Sequence, residues 1–339
     1  MVKDKFFVSP SEPILEIGQK LIGTGFACYL VGGSVRNWLL GRAITDWDIA
    51  TSARPDEITK LFPESFYNNK FGTVGVKTDL GVVEITTFRQ ESRYSDQRHP
   101  DRVVFAQRVE DDLKRRDFTI NALAIDFKDL LGNKTVGLAG IEKVEKKISF
   151  EQTLSQSQEN CGPGIEGRKK NLLTIEEIPQ LGFGRYPQFT VVKMKTKGKV
   201  PVLDQFSGLA DLEKGLVRAV GDPDQRFRED ALRLIRAVRF AVQLGYKIEK
   251  STAAAIKTNA KLLRKVSRER IRDELTKILL SDWPAEGIVL LRQLGLLREI
   301  IPVLEEDRGI QQDWHHVYTV YKHSVLSLKF CFSTELELR

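Results

Sequence analysis

The chain has 339 residues, which is long enough for two or three domains. Its formal net charge of +7 favours a polyanionic partner. Its three cysteines, Cys28, Cys161 and Cys331, are widely separated without metal-ligand spacing, so we expect a reducing, cytoplasmic setting. No apolar run approaches the length of a membrane span and the first residues lack a signal-peptide core, so membrane-embedded and secreted classes are not expected.

The first predicted elements surround a glycine pair. We predict a helix over 14–22, a strand over 26–31 and a second helix over 35–40, with Gly32-Gly33 at the end of the strand. Such a turn lets backbone amides approach a triphosphate, and the start of the next helix favours negative charge. Asp46 and Asp48 follow in a short strand, whose alternation predicts that both project from one face.

Two convergent carboxylates are suited to Mg²⁺, which binds one or two of them together with substrate phosphates. Two such ions can activate an attacking hydroxyl and stabilise departing pyrophosphate. An isolated Asp-x-Asp is usually a solvated strand end, but the glycine pair and helix at this offset favour a site for nucleotidyl transfer.

Residues 30–36, 39–41 and 46–51 together resemble the opening motif of bacterial class II CCA-adding enzymes and their poly(A) polymerase relatives. The resemblance implies an α+β fold: a polymerase-beta-like nucleotidyltransferase head, with a mixed sheet and helices, followed by an all-α neck and a partial helical body. It implies metal ligation by Asp46 and Asp48, and nucleotide binding by Gly32, Gly33, Ser34 and Arg36. In place of Asn37 the family usually has Asp, a change that removes a charge near the triphosphate but no metal ligand.

Further along, a helix is predicted at 55–61 and a hairpin from 74–77 and 82–87. Glu84 in the second hairpin strand is either a third catalytic acid beside the Asp pair or an exposed strand glutamate. Residues 88–104 form a charged loop or a solvated hairpin. Their sequence resembles the flexible loop of CCA-adding enzymes, which implies an enzyme able to add A.

A helix over 110–114 precedes an Arg-Arg-Asp run. Arg116 could supply fork donors and Asp117 could accept from a ribose 2′-hydroxyl, although by itself the run is more often a surface ion pair. The string through Asn121 resembles the ribose-selecting motif of the same family, which implies Arg116, Asp117 and Asn121 as nucleotide contacts. Residues 150–201, polar and rich in Gly and Pro, are interpreted as an insertion that forms either a loop or a disordered segment.

From Asp222 onward the pattern is helical, with Leu232, Ile235, Val238 and Val242 on one face. Asp230 and Arg233 are predicted to share the opposite face, where an acceptor beside a donor fork matches the pairing edges of cytosine and adenine. Residues 226–233 resemble the protein template of CCA-adding enzymes, which implies base reading by this pair. Arg236 and Arg239 are predicted to extend a basic face toward the triphosphate or the RNA end.

Helices are predicted over 251–266 and 267–280, each with a serine N-cap, and over 288–297. Residues 268–275 resemble a last family motif, which implies a brace for the base-reading helix. Three of the four histidines, His315, His316 and His323, cluster near the end, where we favour structural roles over a metal site.

The predicted domains are a head over 1–149 with its end at 202–221, the insertion at 150–201, a neck at 222–281, and the start of a curtailed body at 282–339. The expected function is addition of C and A to the 3′ end of tRNA from CTP and ATP. A poly(A) polymerase, a partial CC- or A-adding enzyme, and an inactive RNA-binding protein on the same scaffold are the alternatives.

Overall fold

The computed structural model describes residues 10–44, 46–67, 72–79, 81–92, 102–132, 200–306, 310 and 318–331. All of them lie in one of the two compact units of the chain, Met1–Ile141 with Met194–Arg339. The sequence interpretations of residues 93–101, of most of the 150–201 segment and of His315 and His316 fall outside the described residues.

The first part of the chain is a mixed sheet with helices. Its strands are β1 (Cys28–Val31), β2 (Asp48–Thr51), β3 (Ser65–Tyr67), β4 (Thr73–Thr78), β5 (Gly81–Thr87), β6 (Arg89–Ser92), β7 (Arg102–Phe105), β8 (Leu123–Asp126) and β9 (Leu203–Asp204). Its helices are α1 (Glu12–Gly23), α2 (Gly32–Leu39), α3 (Pro55–Leu61), α4 (Val109–Lys114), α5 (Phe127–Gly132) and α6 (Gly208–Lys214).

Seven of these strands form one sheet in the order β3-β4-β5-β2-β1-β8-β9. The β2–β5 pair is parallel and the remaining neighbours are antiparallel. The expected hairpin of β4 and β5 is confirmed, and β6 pairs with β7 at the base of the predicted charged loop. Those two strands agree with the hairpin alternative for residues 88–104.

One face of the sheet carries the main hydrophobic core. Because side chains alternate along a strand, Leu30, Ile49, Val74 and Ile85 all point to this face, where they share a cluster with buried residues of α1 and α3. Helix α1 is amphipathic, with a proline in its first turn, and it buries Ile14, Ile17, Leu21 and Gly18. A second, smaller cluster around Ala50, Phe88 and Leu113 covers part of the opposite face.

The second part of the described chain is helical, apart from a short parallel pair of β10 (Leu216–Val217) and β11 (Lys247–Ile248). Its helices are α7 (Pro223–Glu229), α8 (Leu232–Leu244), α9 (Lys250–Asn259), α10 (Arg268–Leu279), α11 (Pro284–Gln293), α12 (Leu297–Ile300), α13 (Val303–Glu306) and α14 (Val320–Phe330). Helix α8 buries nearly all of its length, which includes the predicted apolar face. None of the described helices is long and apolar enough to cross a bilayer.

Four helix predictions need correction. The helix after the glycine pair begins at Gly32, three residues earlier than expected. The helix at 251–266 is instead α9, which Glu249 caps through the amides of Ser251 and Thr252, followed by a 3-10 stretch at Ala260–Lys265. The helix at 288–297 ends at Gln293, and Leu297–Ile300 forms a separate turn. The helix that starts after Asp222 breaks at Asp230, as described below.

Candidate active site

The carboxylate of Asp48 lies against the Gly32-Gly33 turn. Gly32 has a φ of +69°, and a Cβ there would stand 3.0 Å from Asp48 Oδ2 and 2.5 Å from Arg116 Nη1. The Gly33 amide donates to Asp48. Burial is the main cause that raises the pKa of Asp48, and the nearby charges of Arg116 and Arg36 act against it. Position 32 therefore must be glycine for strand and helix to approach this closely.

Ser34 holds the acidic segment to the start of α2. Its buried hydroxyl accepts from the Asp48 amide at 2.8 Å and donates to the Asp46 carbonyl at 3.0 Å. Ser34 was predicted as a nucleotide contact, but this geometry uses its hydroxyl to fix the backbone that carries the two acids. Its role as a nucleotide contact stays a prediction.

Asp46, Asp48 and Glu84 are brought together, though not by the strand alternation that was expected. Strand β2 begins at Asp48, so Asp46 lies just before it, and the charge of Asp46 still raises the pKa of Asp48. Glu84 is the register partner of Asp48 on the parallel strand β5 and is exposed. Among the described residues no group of three or more His, Cys, Asp or Glu side chains has the arrangement of a metal site.

Arg36 is buried beside this turn and is held in one orientation. It donates from Nη1 to Asn121 Oδ1 at 2.5 Å, and from Nε and Nη2 to Asn37 Oδ1 at 3.2 and 2.9 Å. Burial lowers the pKa of Arg36 to about 10, so the group stays charged at neutral pH. A fixed, desolvated cation next to a glycine turn is suited to a phosphate group.

Arg116 is fixed from the opposite side of the turn. Its Nη2 is 3.2 Å from Asp112 Oδ2, and the same buried carboxylate binds Arg115 at 2.7 Å. Burial alone would raise the pKa of Asp112, but the charges of Arg115 and Arg116 outweigh it and lower the pKa. Asp112 thus orients two adjacent arginines, of which Arg116 reaches the glycine turn.

Asp117 faces the helical part of the chain. Its Oδ1 accepts from Asn121 Nδ2 at 3.1 Å, and its Oδ2 accepts from Nε and Nη2 of Arg236 at 2.8 and 2.5 Å. Burial would raise the pKa of this carboxyl, but the charge of Arg236 and these hydrogen bonds hold the pKa well below its usual range. Asn121 consequently connects Arg36 to Asp117, and Asp117 connects to α8.

Three guanidinium groups surround the ring of Phe240. Arg36, Arg236 and Arg239 lie 5.1, 5.2 and 4.3 Å from its centroid, within the range of cation–π attraction. Arg239 also donates to the buried Glu274 at 2.9 Å. Burial, followed by repulsion from Arg236, lowers the pKa of Arg239 to about 10. The arrangement concentrates positive charge at the junction of sheet and helices.

The predicted base-reading pair does not form a helical face. Asp230 has extended φ and ψ and stands between α7 and α8, where its Oδ1 accepts from the Leu232 amide at 3.0 Å and its Oδ2 from Arg270 at 3.0 Å. Arg233 is buried, and it donates to Glu229 at 2.8 Å and to the Arg115 carbonyl at 3.1 Å. The prediction of one uninterrupted helix was wrong at this point.

Comparison with known families decides the family. Residues 28–148 match the family described as the poly A polymerase head domain, and residues 245–308 match the one described as "Probable RNA and SrmB- binding site of polymerase A". The segment at residues 28–148 is a poly A polymerase head domain. The chain is similar to the CCA-adding enzyme of Ligilactobacillus salivarius (strain UCC118), with 39% identity over 277 residues, which cover 81% of this chain and 50% of that protein.

Two solved structures agree with this family. The crystal structure of the Bacillus stearothermophilus CCA-adding enzyme in complex with CTP has a TM-score of 0.59 and 31% identity, and the match covers 87% of this chain and 53% of that one. A tRNA nucleotidyltransferase complexed with a primer tRNA and an incoming ATP analog has a TM-score of 0.55 and 25% identity, covering 88% of this chain and 64% of that one. The chain spans about half the length of the curated relatives it matches.

Several residues in and around this head domain were not predicted as part of the site. Asp112 and Phe240 bind or surround the predicted arginines. Glu229 was predicted only within the 226–233 motif, and Arg270 and Glu274 only within the bracing motif. Spacing of three and four residues could have revealed the Asp112 and Glu229 pairs. The contacts of Asp117, Asp230 and Glu274 join segments that are far apart in sequence and carry no local signal.

Proposed function

We propose that this chain is a template-independent nucleotidyltransferase that adds C and A to the 3′ end of tRNA from CTP and ATP and releases pyrophosphate. The observation that carries the proposal is the position of the Asp48 carboxylate, which lies against the Gly32-Gly33 turn with Arg116 beside it. The Asp48 carboxylate, the Gly32-Gly33 turn and the Arg116 guanidinium lie within a few ångströms of one another. Transfer of a nucleotide from a triphosphate requires such a combination of an acid, a phosphate-binding turn and a cation.

The triphosphate would lie over the glycine turn at the start of α2. The first amides of a helix attract anions, and Gly33 already turns its amide toward a carboxylate oxygen. Arg36 and Arg116 would neutralise the phosphate charge, because each is fixed by an amide or carboxylate partner and keeps further donors. Arg236 and Arg239 add positive charge from α8.

Asp46 and Asp48 would hold Mg²⁺, since two carboxylates with substrate phosphates form a usual ligand set for this ion. When bound, Mg²⁺ polarises the α-phosphate and stabilises the charge on departing pyrophosphate. The RNA 3′-oxygen forms a bond to the α-phosphorus, and the bond from that phosphorus to the bridging oxygen breaks. Glu84, the register partner of Asp48 on the neighbouring strand, would accept the hydroxyl proton.

Base choice would rest on Asp230 and Arg233. A carboxylate offers about four acceptor sites, so Asp230, bonded by one amide and one guanidinium, can still accept from the exocyclic amine of cytosine or adenine. Uracil and guanine would present a carbonyl there, leaving two acceptors face to face. Glu229 and the Arg115 carbonyl fix the fork of Arg233.

The ribose contacts proposed for Asp117 and Asn121 would be shared with the internal network. Asp117 already accepts three side-chain bonds and one from the Phe118 amide, so we propose that it mainly orients Asn121 and Arg236. Arg116 remains the nucleotide contact from this motif. The partners proposed are the tRNA 3′ end with CTP and ATP, in the cytoplasm.

An incorporation assay tests the function. A tRNA that lacks its terminal C, C and A is incubated with labelled CTP or ATP and Mg²⁺, and products are resolved at single-nucleotide length. Addition of two C and one A is the expected result. Repeated A without C would indicate a poly(A) polymerase, and metal-dependent pyrophosphate release with only C or only A would indicate a partial enzyme. No release at all, with RNA binding retained, would indicate an inactive RNA-binding protein.

A further inference from the structure

A transverse row of residues connects the catalytic acid to the edge of the sheet. Asp48 is the register partner of Glu84, Glu84 that of Gly75, and Gly75 that of Phe66. Register partners on neighbouring strands point to the same face, so this row lies on the face opposite the main core. It begins at the candidate active site and ends on the edge strand β3.

Phe66 lies flat across Gly75 within this row. A Cβ on Gly75 would stand 2.6 Å from Phe66 Cζ and 3.0 Å from both Cε atoms, so the ring occupies the space where a side chain would be. The ring still leaves Phe66 41% exposed. One side of the ring therefore packs on backbone, and the other is presented to solvent on the face that carries Asp48 and Glu84.

The row of Asp48, Glu84, Gly75 and Phe66 follows an uncovered part of the sheet along which an RNA strand could extend away from Asp48. Toward β7 and α4, the same face is covered by the cluster of Ala50, Phe88, Val109 and Leu113. Across β5 and β4, Val82, Glu84 and Lys77 are exposed. With neighbouring strands about 4.8 Å apart, the ring over Gly75 lies ~10 Å from the position of Asp48. A base near the reacting 3′ end, but not at it, can reach a ring at this distance.

We propose that Phe66 is a stacking platform for a base of the single-stranded RNA 3′ end, one or two nucleotides before the reacting hydroxyl. This inference rests on the proposed function, because it takes Asp48 as the point where the RNA terminus reacts. Aromatic rings bind single-stranded bases by stacking with little sequence preference, and Lys77 on the same face adds attraction for the phosphate backbone.

An aromatic ring that packs over a glycine on the neighbouring strand also stabilises a sheet edge. The test must therefore separate stacking of Phe66 on an RNA base from packing of Phe66 over Gly75. Phe66→Leu keeps an apolar cover but removes the aromatic face, and Phe66→Trp keeps both. Tyr67→Leu is the matched control, because Tyr67 is adjacent, half exposed, and paired with Val74 of the core face. Thermal unfolding of all four proteins reports any loss of fold.

The probe is an RNA hairpin with a 3′ overhang whose penultimate base is 2-aminopurine, titrated with the full chain. Stacking on Phe66 quenches its fluorescence, and Phe66→Leu is expected to remove the quench and weaken RNA binding about 5- to 150-fold, as loss of one base–aromatic stack does. Phe66→Trp is expected to retain the quench and the RNA affinity, and Tyr67→Leu is expected to leave RNA binding unchanged. The KM for CTP is expected to be the same in Phe66→Leu as in the unsubstituted chain.

The platform is refuted if Phe66→Leu keeps the RNA affinity and the fluorescence quench, or if Phe66→Leu and Tyr67→Leu lose them equally. In either case the proposed function still stands if the unsubstituted chain incorporates C and A. Absence of incorporation and of RNA binding by the unsubstituted chain would overturn the proposed function and the platform with it.

Discussion

Arg236 donates two hydrogen bonds to a single carboxylate oxygen of Asp117, which lies 119 residues earlier in the chain. The pair joins the strand-rich part to helix α8, and Asn121 and Glu274 extend it on either side. Because Asp117 is buried and Arg236 keeps 30% of its side chain exposed, the contact is a partly desolvated ion pair. Such pairs are costly to break one partner at a time.

We predict that Asp117→Asn lowers the free energy of unfolding by about 3 kcal/mol, at the low end for buried pairs because Arg236 retains access to water. Urea unfolding measures the change, and a cycle with Arg236→Gln isolates the coupling between the two groups. Asp56→Asn is the control: its exposed pair with Lys60 is expected to contribute less than about 1 kcal/mol. Equal effects in the two variants would contradict the assignment.

Asp48→Asn should separate activity from stability. Loss of a metal ligand is expected to lower kcat at least about a thousandfold, measured as incorporation of labelled CTP. Because burial raises the pKa of Asp48, the folded state disfavours its charge, so an amide of the same shape should leave the unfolding temperature unchanged or raise it. Asp273→Asn, at an exposed pair with Arg272, should keep full incorporation. Normal turnover in Asp48→Asn would refute the role of this carboxylate.

The two glycines of the turn should differ in their tolerance of alanine. Gly32 has a φ of +69° and a Cβ would collide with Arg116 at 2.5 Å, so Gly32→Ala should cost about 1–2 kcal/mol of stability and raise the KM for CTP. At Gly33 the nearest atoms to a Cβ, on Arg36 and Asp48, are 3.6 and 3.7 Å away, and the backbone is helical. Gly33→Ala should therefore unfold at the same temperature as the parent. A greater loss at Gly33 would show that the turn is arranged differently.

Stability should also depend on pH through Glu249. Burial would raise the pKa of this carboxyl, but bonds from Ser251 and Thr252 outweigh it and lower the pKa to about 2. A depressed carboxyl pKa contributes stability that is fully present above about pH 4.5 and is lost as the pH falls toward 2. Glu249→Gln should be less stable by about 1 kcal/mol at pH 7. The difference should shrink in thermal unfolding at pH 3, and a constant difference would argue against this cap.

Local patterns predicted the parts of the site that are built from neighbours in sequence. The β4–β5 hairpin and α3 follow from turn chemistry and periodicity, and these were confirmed. A helix at the glycine pair was also predicted, although it begins at Gly32 and not at residue 35. The break at Asp230 was missed because no Gly or Pro interrupts the helical pattern there. The hydrogen bond from Arg270 to the Asp230 carboxylate joins residues 40 positions apart, which leaves no local signal. Roles in nucleotide binding stay predictions, since spacing places side chains near one another but does not identify their ligand.

The Ser34 hydroxyl has a mechanical consequence. One oxygen bonds to the backbone of both acidic positions, while the peptide that carries it belongs to the first turn of α2. A displacement of that first turn is therefore coupled to the backbone of both acids. The spacing between the residues that would bind an incoming phosphate and those that would hold its metal ion depends directly on one serine hydroxyl.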